Sequence, residues 1–192
     1  MARTREFNEE EAFDKALEVF WFKGLRGTTM NDLALATGVQ RGSLYHAYGD
    51  KGEVFVRVFE RYAATFLADA RKSLAKSDLR EALASFFATS IRAITKGTPA
   101  RGCLSTKTAF DLAGASPRVA SALKDMMEEL SGIVLAALDT SERKSRLNVS
   151  PEEATLLILA MTRALGVLER VYSDRKTLRR TASALINTLL RN

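Results

Sequence analysis

Within one short segment the chain sets out Gln40, Arg41, Gly42, Ser43, Tyr45 and His46. Glutamine and arginine side chains reach base edges in a DNA major groove, a glycine allows close backbone approach, and the Ser43 and Tyr45 hydroxyls suit phosphate oxygens. Thr28 and Thr29 lie upstream, where a threonine cap precedes first-turn amides that favour an anion. Lys51 lies downstream, at another helix start where a backbone phosphate could dock. Bond-making chemistry is poorly provided for. His46 is the only histidine and Cys103 the only cysteine. Neither a clustered zinc site, nor a conventional catalytic triad, nor an intrachain disulfide can be built from them. No metal and no cofactor is expected.

These side chains act only if the elements around them hold them outward. Thr29-Met30-Asn31-Asp32 is a helix start of the Thr-x-x-acid kind, and the short pattern after it stops at Gly38. Gln40 to about His46 makes a second short helix with Leu44 turned inward. Ala34 lets the two approach, Gly38 supplies the turn, and Leu33, Val39 and Leu44 form the shared core: helix-turn-helix spacing. A first helix, capped by Asn8 and ended by Gly24 and Gly27, precedes them. The acids Glu6, Glu9, Glu10, Glu11 and Asp14 suit the positive end of its dipole. A long fourth helix starts at Asp50-Lys51 and runs to about residue 76. Further helices are read around Leu83 to Ile91, from about Cys103 to Leu112, after Ser116-Pro117, over about 151–172 behind the Ser150-Pro151-Glu152-Glu153 start, and over about 175–190. The fold class is all-α: a three-helix head and a carboxy-terminal helical bundle, about nine helices in total.

Composition agrees. The 192 residues are 46% apolar, with 3 prolines and 11 glycines, which suits long helices and a sizeable core. Uncharged stretches of about ten residues fall well short of the roughly twenty needed to cross a bilayer. Met1 to Glu6 holds no apolar segment, so no export signal is read and a cytoplasmic protein is expected. The net charge of +6 is unevenly spread: residues 1–51 carry seven basic against eight acidic side chains, whereas residues 141–192 carry ten against five. Nucleic-acid recognition near the amino terminus must therefore rest on the placement of a few residues, not on a basic domain.

The stretch from Gly24 to Ala34, then Thr37 to Tyr45, then Tyr48-Gly49-Asp50-Lys51, resembles the amino-terminal signature of the TetR family of bacterial transcriptional regulators, over about residues 8–60. The resemblance implies a homodimer with one DNA-reading head per subunit, taken here as residues 1–50, and a body, 51–192, holding an inducer pocket and the dimer interface. Carried over, Thr29, Tyr45 and Lys51 contact phosphate, while Arg41, Gly42, Gln40 and His46 face bases. The sequence departs from the family at Ala47, where His or Tyr is usual, and at Gly52, where an acid is usual.

In the body, Phe66, Phe86, Phe87, Cys103, Phe110, Met126 and Met161 are the candidates to line a pocket for an apolar or aromatic inducer, since aromatics and methionines form adaptable surfaces. Core packing accounts for the same residues equally well. Cys103 reads as a small buried hydrophobe ahead of a reactive thiol. Arg92, Arg101 and Lys107 read as solvated ahead of partners for an anionic ligand. The last two helices are apolar on more than one side. Leu156, Leu159, Arg163, Val167, Leu178, Leu185 and Leu189 are assigned to an interface between two copies. The function expected is a ligand-responsive repressor on a near-palindromic operator; an α-helical enzyme or carrier, and a protein-binding adaptor, are the competing readings.

Overall fold

The computed structural model describes residues 8–191. The stretch Met1 to Glu6, on which the reading of no export signal rests, lies outside the described residues. Among those described the chain forms ten helices: α1 (Glu9–Gly27), α2 (Met30–Thr37), α3 (Arg41–Tyr48), α4 (Lys51–Leu74), α5 (Leu79–Ile94), α6 (Leu104–Asp111), α7 (Pro117–Leu138), α8 (Ser141–Ser145), α9 (Pro151–Tyr172) and α10 (Arg175–Leu189). The one beyond the expected count is α8. Its five polar residues carry no apolar periodicity to announce it. It is held by the Thr140 cap and by Arg143, which donates to the carbonyls of Leu74, Lys76 and Ala137. No described helix is long and apolar enough to cross a membrane.

The described residues pack as two compact units, residues 8–62 with 107–123, and residues 63–106 with 124–191. The first has a core of Phe20, Leu33, Phe55 and Phe59, all essentially without solvent exposure. The Phe20 and Phe55 rings meet edge to face at 5.0 Å. Burying each such side chain is worth up to about 1.5–3 kcal/mol. Asn8 opens α1 by accepting from the amides of Glu10 and Glu11. Near its end α1 breaks at Gly24, whose φ of +71° is open to glycine and strained for other residues.

Two side chains of α6 brace that break. Lys107 donates to the Trp21 carbonyl on one side of it. Asp111 accepts from the amides of Leu25 and Arg26 on the other, at 2.8 and 3.3 Å. A Cβ on residue 24 would lie 2.8 Å from the Asp111 carboxylate, so glycine is required there twice over. A carbonyl ending the first stretch of α1 and two free amides beginning the second are thus satisfied by one helix.

In the second unit α10 packs on α5 and α9. Arg80 of α5 bonds Asn187, and Arg175 of α10 donates to the Thr95 carbonyl at 2.8 Å, so both ends of α10 are tied to α5. Phe86, Phe87, Leu130, Leu138, Ile158 and Leu165 form the core. The start of α9 is the reciprocal cap its sequence announces: Ser150 Oγ accepts from the Glu153 amide and the Glu153 carboxylate from the Ser150 amide. Gly166 lets α9 lie against Cys103, because a Cβ there would come within 2.9 Å of the Cys103 Cβ.

Candidate nucleic-acid interface

The turn between α2 and α3 is made by Gly38, left-handed at φ 72° and ψ 9°, whose amide donates to the Ala34 carbonyl. Met30, Leu33, Val39 and Leu44 are buried beneath it. At the start of α2, Thr29 Oγ1 accepts from the Asp32 amide while Asp32 accepts from the Thr29 amide and hydroxyl. The Lys23 ammonium, 2.6 Å away, leads the interactions that hold the Asp32 carboxyl down at about 2, with the Thr29 amide and hydroxyl next.

With Leu44 and Tyr48 pinned inward, every other position of α3 faces outward: Arg41, Gly42, Ser43, Tyr45, His46 and Ala47 are exposed, as is Gln40 ahead of it. The Arg41 guanidinium lies over the Tyr45 ring, 5.4 Å from its centroid, a cation–π pair that presents both groups on one side of the helix. Tyr48 anchors the far end of α3. Its hydroxyl donates to Glu9 at 2.7 Å and its ring meets Phe13 at 5.6 Å. Burial, then the Glu9 carboxylate, pushes the phenol up to about 12. In the sequence Tyr48 stands only within the Tyr48-Gly49-Asp50-Lys51 signature; its partner, 39 residues away, gives no local signal.

Two of the nine residues assigned to DNA do not stand on this face. Thr28 is completely buried and its hydroxyl donates to the Gly24 carbonyl at 2.6 Å, so it supports the head from inside. The Lys51 ammonium donates to the carbonyls of Leu25, Arg26 and Thr28 at 3.0, 3.2 and 2.8 Å. All three of its hydrogens are thereby committed to closing the end of α1, where a cation suits the helix dipole. The helix start at Lys51 suggests a phosphate contact from sequence; its actual partners, 23 to 26 residues upstream, carry no local signal. Gly52 has its own local reason. Its amide donates to Asp50 Oδ1 at 2.7 Å, and a Cβ there would come within 3.0 Å of that same capping oxygen.

In the second unit Phe86, Phe87 and Met126 are closed into the core, with Phe66 and Cys103 nearly so and Met161 half-buried. Phe110 does not join them: it belongs to the first unit and is 76% exposed. Burial opposes ionisation of the Cys103 thiol, but the Arg163 charge and the Ser105 hydroxyl, 3.2 Å from its sulfur, outweigh it and lower its pKa. Of the residues assigned to a dimer interface, Leu159, Leu178 and Leu189 belong to the subunit's own core and Leu185 is half-buried. Arg163 is half-buried and bonded to Ser105 and Thr162. Leu156 and Val167 are exposed, and with Ala160, Ala164 and Val171 they form a stripe along α9. An apolar helix shows two such faces, and sequence alone does not say which one is covered by the same chain.

Among the described residues no group of three or more His, Cys, Asp and Glu is placed to hold a metal ion. The model of the family described as bacterial regulatory proteins, tetR family, matches residues 12–58. That described as tetracyclin repressor-like, C-terminal domain, matches residues 79–185. The HTH-type transcriptional repressor ComR of Escherichia coli (strain K12) is 34% identical over 125 residues, covering 64% of this chain and 59% of ComR. The chain thus matches less than two thirds of that relative's length. Among solved structures, reduced E. coli NemR shares the fold with a TM-score of 0.84 at 16% identity, over 95% of this chain and 97% of NemR. A cysteine mutant of CifR, a TetR family transcriptional regulator complexed with 26-bp double-strand operator DNA, shares it with a TM-score of 0.78 at 21% identity, over 96% and 98% of the two chains.

Proposed function

Because the chain belongs to the tetR family of bacterial regulatory proteins, we propose that it is a transcriptional repressor that binds a near-palindromic DNA operator as a homodimer and leaves it when a small molecule occupies the helical body. The observation that carries this reading is the outward face of α3, where Gln40, Arg41, Gly42, Ser43, Tyr45 and His46 are exposed together on a helix fixed by Leu44 and Tyr48. Arg41 and Gln40 read base edges, His46 and Gly42 face them, and Ser43, Tyr45 and Thr29 meet phosphate. Thr28 and Lys51 hold the head together. Residues 1–50 carry DNA recognition, and residues 51–192 carry ligand response and dimerisation. The protein works where the chromosome is, in the cytoplasm.

The α9 stripe of Leu156, Ala160, Ala164, Val167 and Val171 pairs with its copy. Two-fold symmetry then offers two α3 helices to successive major grooves about 34 Å apart. The inducer is apolar or aromatic and enters among Phe66, Phe86, Phe87, Met126 and Met161, with Cys103 near. Since most of these are packed shut, its binding separates core side chains and shifts the balance between two spacings of the heads. A preference of a few kcal/mol for one state is enough, and no covalent chemistry is needed. A gel shift with the DNA flanking the protein's own reading frame, run at about 50 and 200 mM salt, tests the reading. A discrete complex that survives competition by random DNA at the higher salt supports it. Binding that vanishes there, or a head that captures only protein, refutes it in favour of an adaptor.

A further inference from the structure

At the far end of α5 the second unit carries a cleft of about 480 Å³ lined by Ala88, Ile91, Arg92, Thr95, Lys96, Gly97, Arg175 and Arg179. Half of these eight residues are cations, drawn from α5, the turn after it and the first half of α10, and none is acidic. The volume lies within the range of small-molecule sites. Two of the cations are oriented by the protein itself: Arg175 donates to the Thr95 carbonyl at 2.8 Å, and Arg92 to the Thr89 hydroxyl at 3.1 Å. Among the described residues the side chains of Lys96 and Arg179 make no hydrogen bond or ion pair. Among the described residues the adjacent acid, Asp174, forms no ion pair with them; its carboxylate accepts from the amides of Lys176 and Thr177 and from the Thr177 hydroxyl. Elsewhere in the same unit cations meet acids: Arg71 pairs with Glu129, Arg146 with Asp78 and Lys144 with Asp139.

Four like charges gathered on an apolar floor of Ala88 and Ile91 repel one another, and the free energy of the cleft falls when an anion enters it. Guanidinium forks suit the planar or tetrahedral oxygens of carboxylate and phosphate, and the floor suits a hydrocarbon. We infer that the cleft between the end of α5 and the start of α10 is a binding site for a small anion, a phosphate monoester or carboxylate, that carries a short apolar tail. The site is separate from the aromatic core residues assigned to the inducer and stands whether or not the anion alters operator binding.

The test uses the full-length protein, octyl phosphate, octanoate and uncharged octanol as probes, and calorimetry at about 50 and 300 mM KCl. The inference expects at least one of the two anions to bind with a dissociation constant below about 1 mM, weakening with salt, while octanol does not compete. The stronger of the two names the headgroup. Lys96→Gln with Arg179→Gln, two side chains without internal bonds, should weaken that binding by about tenfold or more and leave the thermal midpoint of the free protein unlowered. The inference is overturned if octanol binds as well as the anions, if neither anion binds, or if the double variant binds them unchanged. It is equally overturned if the variant loses affinity for a random DNA duplex alone, because the four cations would then serve the nucleic-acid backbone.

Discussion

Arg41 and Lys51 look alike in the sequence, two cations flanking a short helix, yet the structure gives them opposite work. Arg41 is exposed on α3 with the Tyr45 ring beneath it. Lys51 is wired to three carbonyls at the end of α1. Arg41→Ala should therefore cost about 1–3 kcal/mol on the best operator and relax specificity at one base pair, as read by fluorescence anisotropy with a panel of single-base operator variants. Lys51→Met should leave the salt dependence of binding unaltered and lower the unfolding midpoint of the head instead. Tyr48 supplies a pH signature. Its folded-state ionisation is raised from 10.0 to about 12, so the stability it contributes is complete below pH 10 and is lost as the pH rises towards about 12. An ultraviolet titration should find one of the four tyrosines ionising late, and Tyr48→Phe should remove that late step alone.

At the scale of elements, the reading of α2, α3 and the turn between them came directly from residue types, because Thr29, Asp32, Gly38 and Leu44 each do a job within a few residues of themselves. The brace on α1 was not legible. Gly24 announced a break, but Lys107 and Asp111, which satisfy the backbone on either side of it, lie more than 80 residues downstream. For the same reason Lys107 was misread as a solvated cation. Asp111→Ala should leave two amides at the break without their carboxylate and destabilise the protein by about 1–3 kcal/mol, measurable by denaturant unfolding. Faster hydrogen exchange at Leu25 and Arg26 than at the α3 amides would assign the loss to the break, whereas uniform exchange would show that α6 does not support it.

For the whole molecule, the sequence told that α9 and α10 are apolar on several sides and could not say which side stays bare. Packing decides it: Leu159, Leu178 and Leu189 are inside, while Leu156 at 67% and Val171 at 65% exposure are not. An exposed apolar stripe of this extent calls for a partner. Val167→Glu placed in its middle should convert the protein to a monomer by light scattering and weaken operator binding by at least about a hundredfold, since one head alone loses the second half-site. A variant that remains a dimer would move the interface off α9.

The measurement that bears most directly on the proposed function is a hydroxyl-radical and methylation-interference footprint of the dimer on its operator. Two protected patches centred about one helical turn apart, with guanine interference in successive major grooves that Arg41→Ala erases at one position in each half, is the result expected. A single patch, or interference that Arg41→Ala leaves unchanged, would contradict the assignment of α3 as the reading element.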